Sequence, residues 1–382
     1  MAVQHRSEYR PAGGGSYLTM DFNQSPFTVA WEITRACALA CIHCRATAIP
    51  RRDPRELTTE EGFRLIDQIV EMGRPILVVT GGDPMMRRDV YDLLGYAVSR
   101  DLRVALSPSA TALVTRRALE RVKATGVHMV QVSLDGSEPA IHDAFRGVAG
   151  TFQRTIEILR NVVDLEIPLQ IGTTVTRHNL HDLARIAERV TELGATVWNV
   201  FFLVPTGRGQ ASEMITPEQH ESVFNWLYDL SLTAPFHVRT TAAQHYRRVV
   251  IQRMRTSRGQ GDTPSPSTWQ LTGAGYSFRS SEGPVGRGVN DGSGFCFVSH
   301  VGDVYPSGFL QVSAGNVREK SLVEIYRSSS PFQALRDPDR LKGKCRRCEF
   351  RSVCGGSRAR AYYVMGDYLE SDPSCVYQPA AL

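Results

Sequence analysis

The sequence lacks several features that would place the protein in a special class. None of its apolar runs approaches the ~20 residues that a helix needs to cross a bilayer. Residues 1–20 are rich in glycine and serine and contain no apolar central region, so they do not resemble a secretory signal. No internal repeat is present either. These absences predict a cytoplasmic protein that has no membrane partner.

A strong charge of either sign is also missing. The 44 basic and 39 acidic residues leave a net charge of +5, and the arginines are scattered along the chain rather than gathered in a run. Nucleic-acid-binding proteins usually carry a basic patch or stripe. The charge balance therefore argues against a nucleic-acid partner and is compatible with an anionic small-molecule substrate.

Cysteine is scarce, but its distribution is uneven. Of the eight cysteines, seven form two tight groups near opposite ends of the chain, and Cys296 stands alone. Proteins of reducing compartments use such groups to bind metals rather than to form disulfides. We therefore expect two metal centres.

Alternating periodicities predict the fold. Six short β-branched runs are typical of strands, and amphipathic helical segments lie between them. The predicted strands are residues 27–34, 76–80, 103–107, 129–134, 169–175 and 197–203. The first helix begins with Thr58 and Glu61 in capping-box spacing. This order predicts an α/β fold, a partial (β/α)6 barrel of parallel strands with its chemistry at their carboxyl ends.

Composition divides the chain into four parts. An N-terminal extension covers residues 1–26, the partial barrel covers 27–235, and a connecting segment covers 236–294. Within the last of these, 256–294 is rich in Gly, Ser, Pro and Thr, which predicts a long surface loop. Residues 295–382 contain a hairpin-like stretch and five cysteines. Their apolar core is thin, so we expect a small C-terminal domain held together by a metal centre.

The first cysteine group follows the first predicted strand. Cys37, Cys41 and Cys44 have the spacing CxxxCxxC. Three thiolates can hold three irons of a 4Fe-4S cluster and leave the fourth iron open for another ligand. The alternatives are a zinc site, with His43 as a fourth ligand, or unrelated buried thiols. His43 is poorly placed to close such a site because it lies between two of the cysteines.

This segment resembles the signature of the radical S-adenosylmethionine (SAM) enzymes, in which the residue before the last cysteine is usually aromatic. His43 occupies that place. The resemblance implies that the open iron binds the amino and carboxylate groups of SAM. It also implies that an electron from the reduced cluster cleaves SAM to a 5'-deoxyadenosyl radical, which abstracts a hydrogen atom from the substrate.

Further positions resemble the SAM-binding motifs of the same family. Gly81, Gly82, Asp83 and Pro84 resemble its GGE motif, in which glycines let the backbone approach the SAM amino group and the carboxylate accepts from it. Arg146 resembles an arginine that pairs with the SAM carboxylate. The remaining candidates for binding ribose, adenine or the carboxylate lie at or near strand ends: Ser107, Ser109, Ser133, Thr173 and Val204.

The second cysteine group lies near the C-terminus and supplies four thiolates. Its members are Cys345, Cys348, Cys354 and Cys375. Spacing alone leaves a structural zinc ribbon and an iron-sulfur cluster equally open. Together with the upstream motif, the region resembles the SPASM or twitch auxiliary-cluster domain of radical SAM enzymes. The resemblance implies a second, auxiliary 4Fe-4S cluster.

The chain departs from the full SPASM pattern of seven cysteines and two auxiliary clusters. Ser313 and Arg358 stand where the pattern has cysteines, so we expect one auxiliary cluster bound by the four C-terminal cysteines. Cys296 is then left over. It is either a small buried apolar residue or a thiol that faces the substrate cavity.

Within the superfamily, the single-cluster arrangement resembles the branch that modifies haem precursors and an uncharacterised SPASM subfamily near it. The resemblance implies an oxidoreductase- or transferase-type enzyme that acts on a tetrapyrrole, nucleoside or other natural-product precursor. It also implies an electron donor such as flavodoxin or ferredoxin.

Two other functions remain open at this stage. A peptide-modifying radical SAM maturase is the first, although such enzymes often carry a winged-helix segment for the leader peptide and only 26 residues precede the first predicted strand. A zinc-containing nucleic-acid-binding protein is the second, and it leaves the six βα units unexplained.

Overall fold

The computed structural model describes residues 20–259 and 288–379. The strands are β1 (Thr28–Glu32), β2 (Ile76–Thr80), β3 (Val104–Leu106), β4 (Met129–Ser133), β5 (Leu169–Val175), β6 (Val197–Phe202), β7 (His237–Thr241), β8 (Phe295–Val298), β9 (Asp303–Tyr305) and β10 (Gly315–Asn316). The helices are α1 (Thr59–Glu71), α2 (Val90–Ser99), α3 (Arg116–Ala124), α4 (Pro139–Arg146), α5 (Thr151–Asp164), α6 (Leu183–Glu192), α7 (Pro217–Thr233), α8 (His245–Gly259), α9 (Leu322–Ser328), α10 (Ser330–Arg336), α11 (Gly343–Arg347) and α12 (Arg358–Met365).

The described strands form one sheet in the order β10-β9-β8-β1-β2-β3-β4-β5-β6-β7. Strands β1 to β7 are parallel to their neighbours, and β8 pairs with β1 in the same direction. The predicted fold class, an α/β partial barrel, is confirmed, and the six predicted strands form its centre. The hairpin expected in the C-terminal part is also present, because β9 returns antiparallel to β8.

Four strands extend the sheet beyond the six predicted for the barrel: β7 at one edge, and β8, β9 and β10 at the other. Strand β7 carries alternating polar side chains and pairs with β6, and β8 pairs with the other edge strand, β1. The division into a barrel, a connecting segment and a C-terminal domain stays a prediction. Strand β7 and helix α8 lie inside the predicted connecting segment, residues 236–294. Residues 1–19 of the N-terminal extension and 260–287 of the expected loop lie outside the described residues.

Side chains alternate between two environments along the strands. Val29 and Trp31 of β1 are fully buried in the main apolar core, which includes side chains of the surrounding helices. Thr28 and Ala30 of the same strand line a cavity on the other side of the sheet. This alternation is the period of two expected of a barrel strand, and it separates a core layer from an interior able to admit a ligand.

Helix α1 shows how the local sequence sets the boundaries of the covering helices. Thr58 accepts from the backbone N–H of Glu61, and the Glu61 side chain accepts from the N–H of Thr58, so the predicted capping box is present. Among the described helices, none has the length and apolar character needed to cross a bilayer.

Candidate functional site

The first cysteine group lies in a loop that follows β1 and is closed at its base by backbone hydrogen bonds. The N–H of Cys37 donates to Ile49 O at 2.9 Å. Cys37 and Cys41 are buried, Cys44 is half-buried, and the three side chains pack in one small cluster with Leu39. The loop therefore brings three thiols together just beyond the carboxyl end of β1.

The end of helix α4 holds this loop from one side. The N–H of Ala40 donates to Arg146 O at 3.2 Å, and the N–H of Ile42 donates to Phe145 O at 3.1 Å. Gly147 follows with a positive φ of 69°, and a Cβ there would lie 2.7 Å from Ala40 O. A glycine is required at this helix end because the backbone of residue 147 has a positive φ and touches the cysteine loop.

His43 takes the place of the aromatic residue of the motif and packs as one. Its ring lies 4.2 Å from the Phe145 ring, centroid to centroid, at an interplanar angle of 35°. Burial, with the nearby positive charges of Arg146 and Arg208, lowers the pKa of His43 well below its usual range, so the ring is neutral. In the described residues its Nδ1 is shielded from solvent and has no hydrogen-bond partner.

Two arginines contact the loop. The Arg146 guanidinium is ion-paired with Asp135 and also lies 3.7 Å from Cys41 Sγ. Arg208 donates through Nε to Cys41 O at 2.9 Å. The carboxylate partner of Arg146 in the structure is Asp135, and its pairing with the SAM carboxylate stays a prediction. Within the described residues, Arg146 Nε and one terminal nitrogen of Arg208 are shielded and make no hydrogen bond, so the loop retains donors for an anionic group.

The glycines after β2 fit against the cysteine loop. The N–H of Gly82 donates to Thr34 O at 2.8 Å, and the N–H of Asp83 donates to Ala36 O at 2.7 Å. A Cβ on Gly81 would lie 2.5 Å from Thr34 O, and one on Gly82 would lie 2.5 Å from Ala36 O. The absence of side chains at Gly81 and Gly82 thus allows two protein backbones to approach closely, and the approach of SAM to these glycines stays a prediction.

Asp83 is fully buried, and its carboxylate binds protein donors on the next strand connection. It accepts from Thr111 Oγ1 at 2.6 Å and from the backbone N–H groups of Met85 and Ser109 at 3.1 and 3.4 Å. Burial raises the pKa of this carboxyl despite these donors. Pro84 is buried at the start of the following turn. These partners fix the loops after β2 and β3, and contact between the carboxylate and the SAM amino group stays a prediction.

The remaining predicted ligand positions divide into three groups. Ser109 donates to Gly82 O at 2.5 Å and accepts from the Cys37 thiol at 3.5 Å, so it lies at the loop. Ser107 lines the cavity, and Ser133 is half-buried at the end of β4. Thr173 and Val204 are buried among protein groups, and their contact with SAM stays a prediction. The Thr173 hydroxyl is buried between Leu134 O and Trp198 Nε1, and Val204 is buried in a small apolar cluster.

A cavity of about 320 Å³ occupies the barrel interior. Polar side chains from several parallel strands enter it, and its basic lining residues are Arg45, Arg103, His128, Arg239 and Arg247. Arg45 is paired with Glu32 at 2.9 Å and stacks on Phe297, with 4.5 Å from Cζ to the ring centroid. Asp291 is an acidic residue among those lining the cavity. The interior therefore combines aromatic surface with an excess of positive charge.

The second cysteine group lines one small cavity. Cys345, Cys348, Cys354 and Cys375 face it together with His245. Burial raises the pKa of Cys348 to about 11 and that of Cys354 to about 12. Although burial acts in the opposite direction, His245 lowers the pKa of Cys375. Because thiols bind metals as thiolates, metal binding here would release protons. Four convergent thiols are a donor set that fits a fully ligated iron-sulfur cluster.

Cys296 lies away from both groups. It is fully buried on β8 in the main core, whereas its neighbours Phe295 and Phe297 line the cavity. Burial raises the pKa of its thiol. The structure thus favours the small apolar residue over the thiol that faces the cavity.

Several residues at these sites were not identified from the sequence. Asp135 lies two residues after the end of β4, which was a usable signal because functional side chains collect at strand ends. Arg239 lies inside a strand that was not predicted, and His245 begins the helix after it. Their proximity to the cavity and to the C-terminal cysteines depends on tertiary structure.

Comparisons with known proteins agree with this geometry. The family profile described as "Radical SAM superfamily" matches residues 31–190, and "SPASM: Iron-sulfur cluster-binding domain" matches residues 290–349. An AdoMet-dependent heme synthase of Nitratidesulfovibrio vulgaris is 41% identical over 97% of this chain and 97% of its own length. One from Methanosarcina barkeri is 41% identical over 93% of this chain and 97% of its own.

A solved structure shows the same fold at low identity. Streptococcus suis SuiB bound to S-adenosylmethionine superposes with a TM-score of 0.67 at 15% identity, covering 93% of this chain and 78% of SuiB.

Proposed function

Because the chain belongs to the radical SAM superfamily of enzymes and carries an iron-sulfur cluster-binding SPASM domain, we propose that it takes a hydrogen atom from a carboxylate-bearing tetrapyrrole. In this proposal, Cys37, Cys41 and Cys44 hold the 4Fe-4S cluster that binds SAM, and the bound cluster supplies the electron that cleaves SAM. The four C-terminal cysteines hold an auxiliary cluster. Two relatives at 41% identity, both named AdoMet-dependent heme synthase, support a tetrapyrrole substrate.

The observation that carries the substrate proposal is the excess of arginine over acidic residues in the lining of the barrel cavity. Arg239 lies on β7 and points into this cavity, where its Nε is shielded and, among the described residues, has no hydrogen-bond partner. Burial and the neighbouring charge of Arg103 lower the pKa of Arg239 to about 10, so it remains a cation at neutral pH. A half-buried cation with a shielded, unpaired Nε is stabilised by an anion, and carboxylate side chains provide one.

Aromatic side chains complete the complementarity to a planar ring. The cavity is lined by Phe27, Phe201, Phe295, Phe297 and Phe309. Aromatic faces accept a flat apolar macrocycle by stacking, while arginines at the same cavity accept its carboxylates. This combination favours a tetrapyrrole acid over a neutral sugar or nucleoside.

Turnover with reconstituted full-length protein tests the proposal. The protein is incubated without oxygen with SAM, dithionite and an iron tetrapyrrole that carries propionate side chains, or with the methyl ester of that tetrapyrrole. We expect 5'-deoxyadenosine formation to rise with the acid but not with the ester, and to vanish when Cys37, Cys41 and Cys44 are all replaced by Ala. Equal stimulation by acid and ester, or none by either, would contradict the proposal.

A binding measurement tests the role of the cavity. Arg239→Gln should weaken tetrapyrrole binding about tenfold or more, since a hydrogen bond to a charged group contributes about 1.5–3 kcal/mol. SAM affinity should not change. Arg116→Gln, which replaces a half-exposed arginine on α3, is the matched control and should leave both affinities unchanged. Unaltered tetrapyrrole affinity in Arg239→Gln would remove this residue from the substrate site.

We further propose two 4Fe-4S clusters, an electron donor such as flavodoxin or ferredoxin, and a cytoplasmic location. Anaerobically reconstituted protein should contain about eight irons. The electron donor is tested by replacing dithionite with reduced flavodoxin or ferredoxin in the same turnover reaction.

A further inference from the structure

Arg358 is a buried arginine that contacts the second cysteine group. It begins helix α12, is 1% exposed, and forms no salt bridge within the described residues. One terminal nitrogen of its guanidinium donates to Cys345 Sγ at 3.7 Å. The other donates to Glu370 O at 2.7 Å and to Tyr368 O at 3.1 Å, and Nε donates to Gly356 O at 3.3 Å.

The carbonyl contacts hold the guanidinium rigidly against the sulfur. Asp291 and Asp367 interact electrostatically with Arg358, but in the described residues neither carboxylate forms a salt bridge with it. A buried cation without a salt bridge is costly because it has lost its hydration. Thiolates that bind iron would supply the missing negative charge at the position where Arg358 already points. The two features together indicate a site in which cation and cluster stabilise each other.

We propose that Arg358 is a positioning residue that donates a charge-assisted hydrogen bond to the Cys345 thiolate and raises the reduction potential of the cluster held by the four C-terminal cysteines. The proposal rests on the proposed assignment of that cluster. Its physical basis is the extra negative charge of the reduced form, which a cationic donor stabilises more than the oxidised form. At the position where the full SPASM pattern has a ligand cysteine, this chain has a cation that tunes the remaining cluster.

His245 is a second basic residue beside the C-terminal cysteines, although it lies far from them in sequence. Its Nε2 lies 3.2 Å from Asp372 Oδ2, and its ring also faces Cys375 in the cysteine-lined cavity. The carboxylate and the thiol thus lie beside the same imidazole. A guanidinium and an imidazole therefore lie next to two different cysteines of this group.

The test uses full-length protein in which Cys37, Cys41 and Cys44 are replaced by Ala, so that the auxiliary cluster is observed alone. Its reduction potential is measured by redox titration with electron paramagnetic resonance. In this background Arg358→Gln should keep about four irons. It should make the equilibrium constant for reduction of the cluster about tenfold less favourable, which is a fall of about 59 mV in the reduction potential for one electron. Arg358→Lys should give a smaller fall because the charge is retained.

Arg346→Gln is the matched control. Arg346 is the exposed neighbour of Cys345, so its replacement removes a charge near the same ligand without removing a contact to the sulfur. Solvent screens that charge, and the potential should not change. A fall as large in Arg346→Gln as in Arg358→Gln would contradict a specific role for Arg358.

A second measurement covers the case in which the Arg358 variants fail to load iron. Protein with unsubstituted Arg358 is labelled with ¹⁵N-arginine, and the reduced auxiliary cluster is examined by pulsed electron paramagnetic resonance for coupling to ¹⁵N. We expect a coupling. Iron present without coupling, or an unchanged potential in Arg358→Gln, would overturn the role of Arg358 alone. No iron in the triple-alanine background would overturn the four-cysteine assignment and this proposal with it.

Discussion

The Arg146 guanidinium lies 3.7 Å from Cys41 Sγ while it is ion-paired with Asp135. The Asp135 carboxylate also accepts from the backbone N–H of Thr174 at 2.7 Å. One buried ion pair therefore connects the ends of β4 and β5 to the cysteine loop. Because water has little access to Arg146 and Asp135, each charge depends on the other for stabilisation. The pair therefore helps to hold the cysteine loop in place.

Breaking the pair from one side should cost stability. Arg146→Gln leaves the Asp135 carboxylate buried without its cation, and a loss of about 3–5 kcal/mol is expected in denaturant unfolding. The double variant Arg146→Gln with Asp135→Asn should recover part of that loss, because no uncompensated charge remains. A double variant that is less stable by the sum of the two single losses would contradict coupling between these residues.

The close approach of two backbones predicts a specific effect at Gly82. In Gly82→Ala the new Cβ would lie 2.5 Å from Ala36 O, so the cysteine loop must move. We expect the variant to lose the iron of the loop cluster, about four of about eight irons. Gly95→Ala is the matched control, since no atom lies within 4 Å of a Cβ at that helical position. It should keep its iron and gain about 0.5–1 kcal/mol of stability.

The centre of the fold was accessible from sequence because periodicity is a local property. Strand β5 and helix α1, for example, carry β-branched runs or capping signals within a few residues. Strand β7 escaped prediction since its sequence, HVRTT, turns polar side chains into the cavity. The pairing of β8 with β1 joins segments more than 250 residues apart in sequence, and no local pattern encodes it.

The candidate site was also predictable only where its features are local in sequence. The cysteine groups were recognisable because short spacings bring their thiols together whatever the rest of the chain does. The placement of Asp83 and Thr173 could not be predicted, since a strand-end side chain is oriented by neighbours on other strands. Arg239 is half-buried and Arg358 is buried, each beside groups distant in sequence, and the burial of a charged side chain has no local signature.

The core position of Cys296 predicts that it binds no iron. Cys296→Ser should leave the iron content unchanged and lower the free energy of unfolding by about 1–3 kcal/mol, because a hydroxyl replaces a thiol in an apolar core. Iron stoichiometry and denaturant unfolding give the two readouts. A loss of about four irons in this variant would mean that Cys296 is a cluster ligand.

The buried carboxylate of Glu32 predicts a pH effect on stability. Burial acts to raise its pKa, but Arg45, His300 and Arg35 together lower it to about 2 from an ordinary value of 4.5. The unfolded chain therefore binds a proton first as the pH falls. Stability contributed by this group is present above pH 4.5 and is lost as the pH falls toward 2, by about 3 kcal/mol in total.

Glu32→Gln tests this effect. The variant should be less stable than the unsubstituted protein at neutral pH, and its stability should change less between pH 4.5 and the lowest pH at which unfolding can be followed. Glu60→Gln, at an exposed position, is the control for any loss of metal in acid. Parallel pH profiles for all three proteins would contradict the role of Glu32.

The most direct test of the central claim follows a hydrogen atom from the substrate. Reconstituted protein is given SAM, a reductant and an iron tetrapyrrole deuterated in its propionate side chains, and 5'-deoxyadenosine is analysed by mass spectrometry. Our account predicts one deuterium in the 5'-deoxyadenosine and a matching change in the tetrapyrrole. Unlabelled 5'-deoxyadenosine, formed at the same rate with and without the tetrapyrrole, would contradict it.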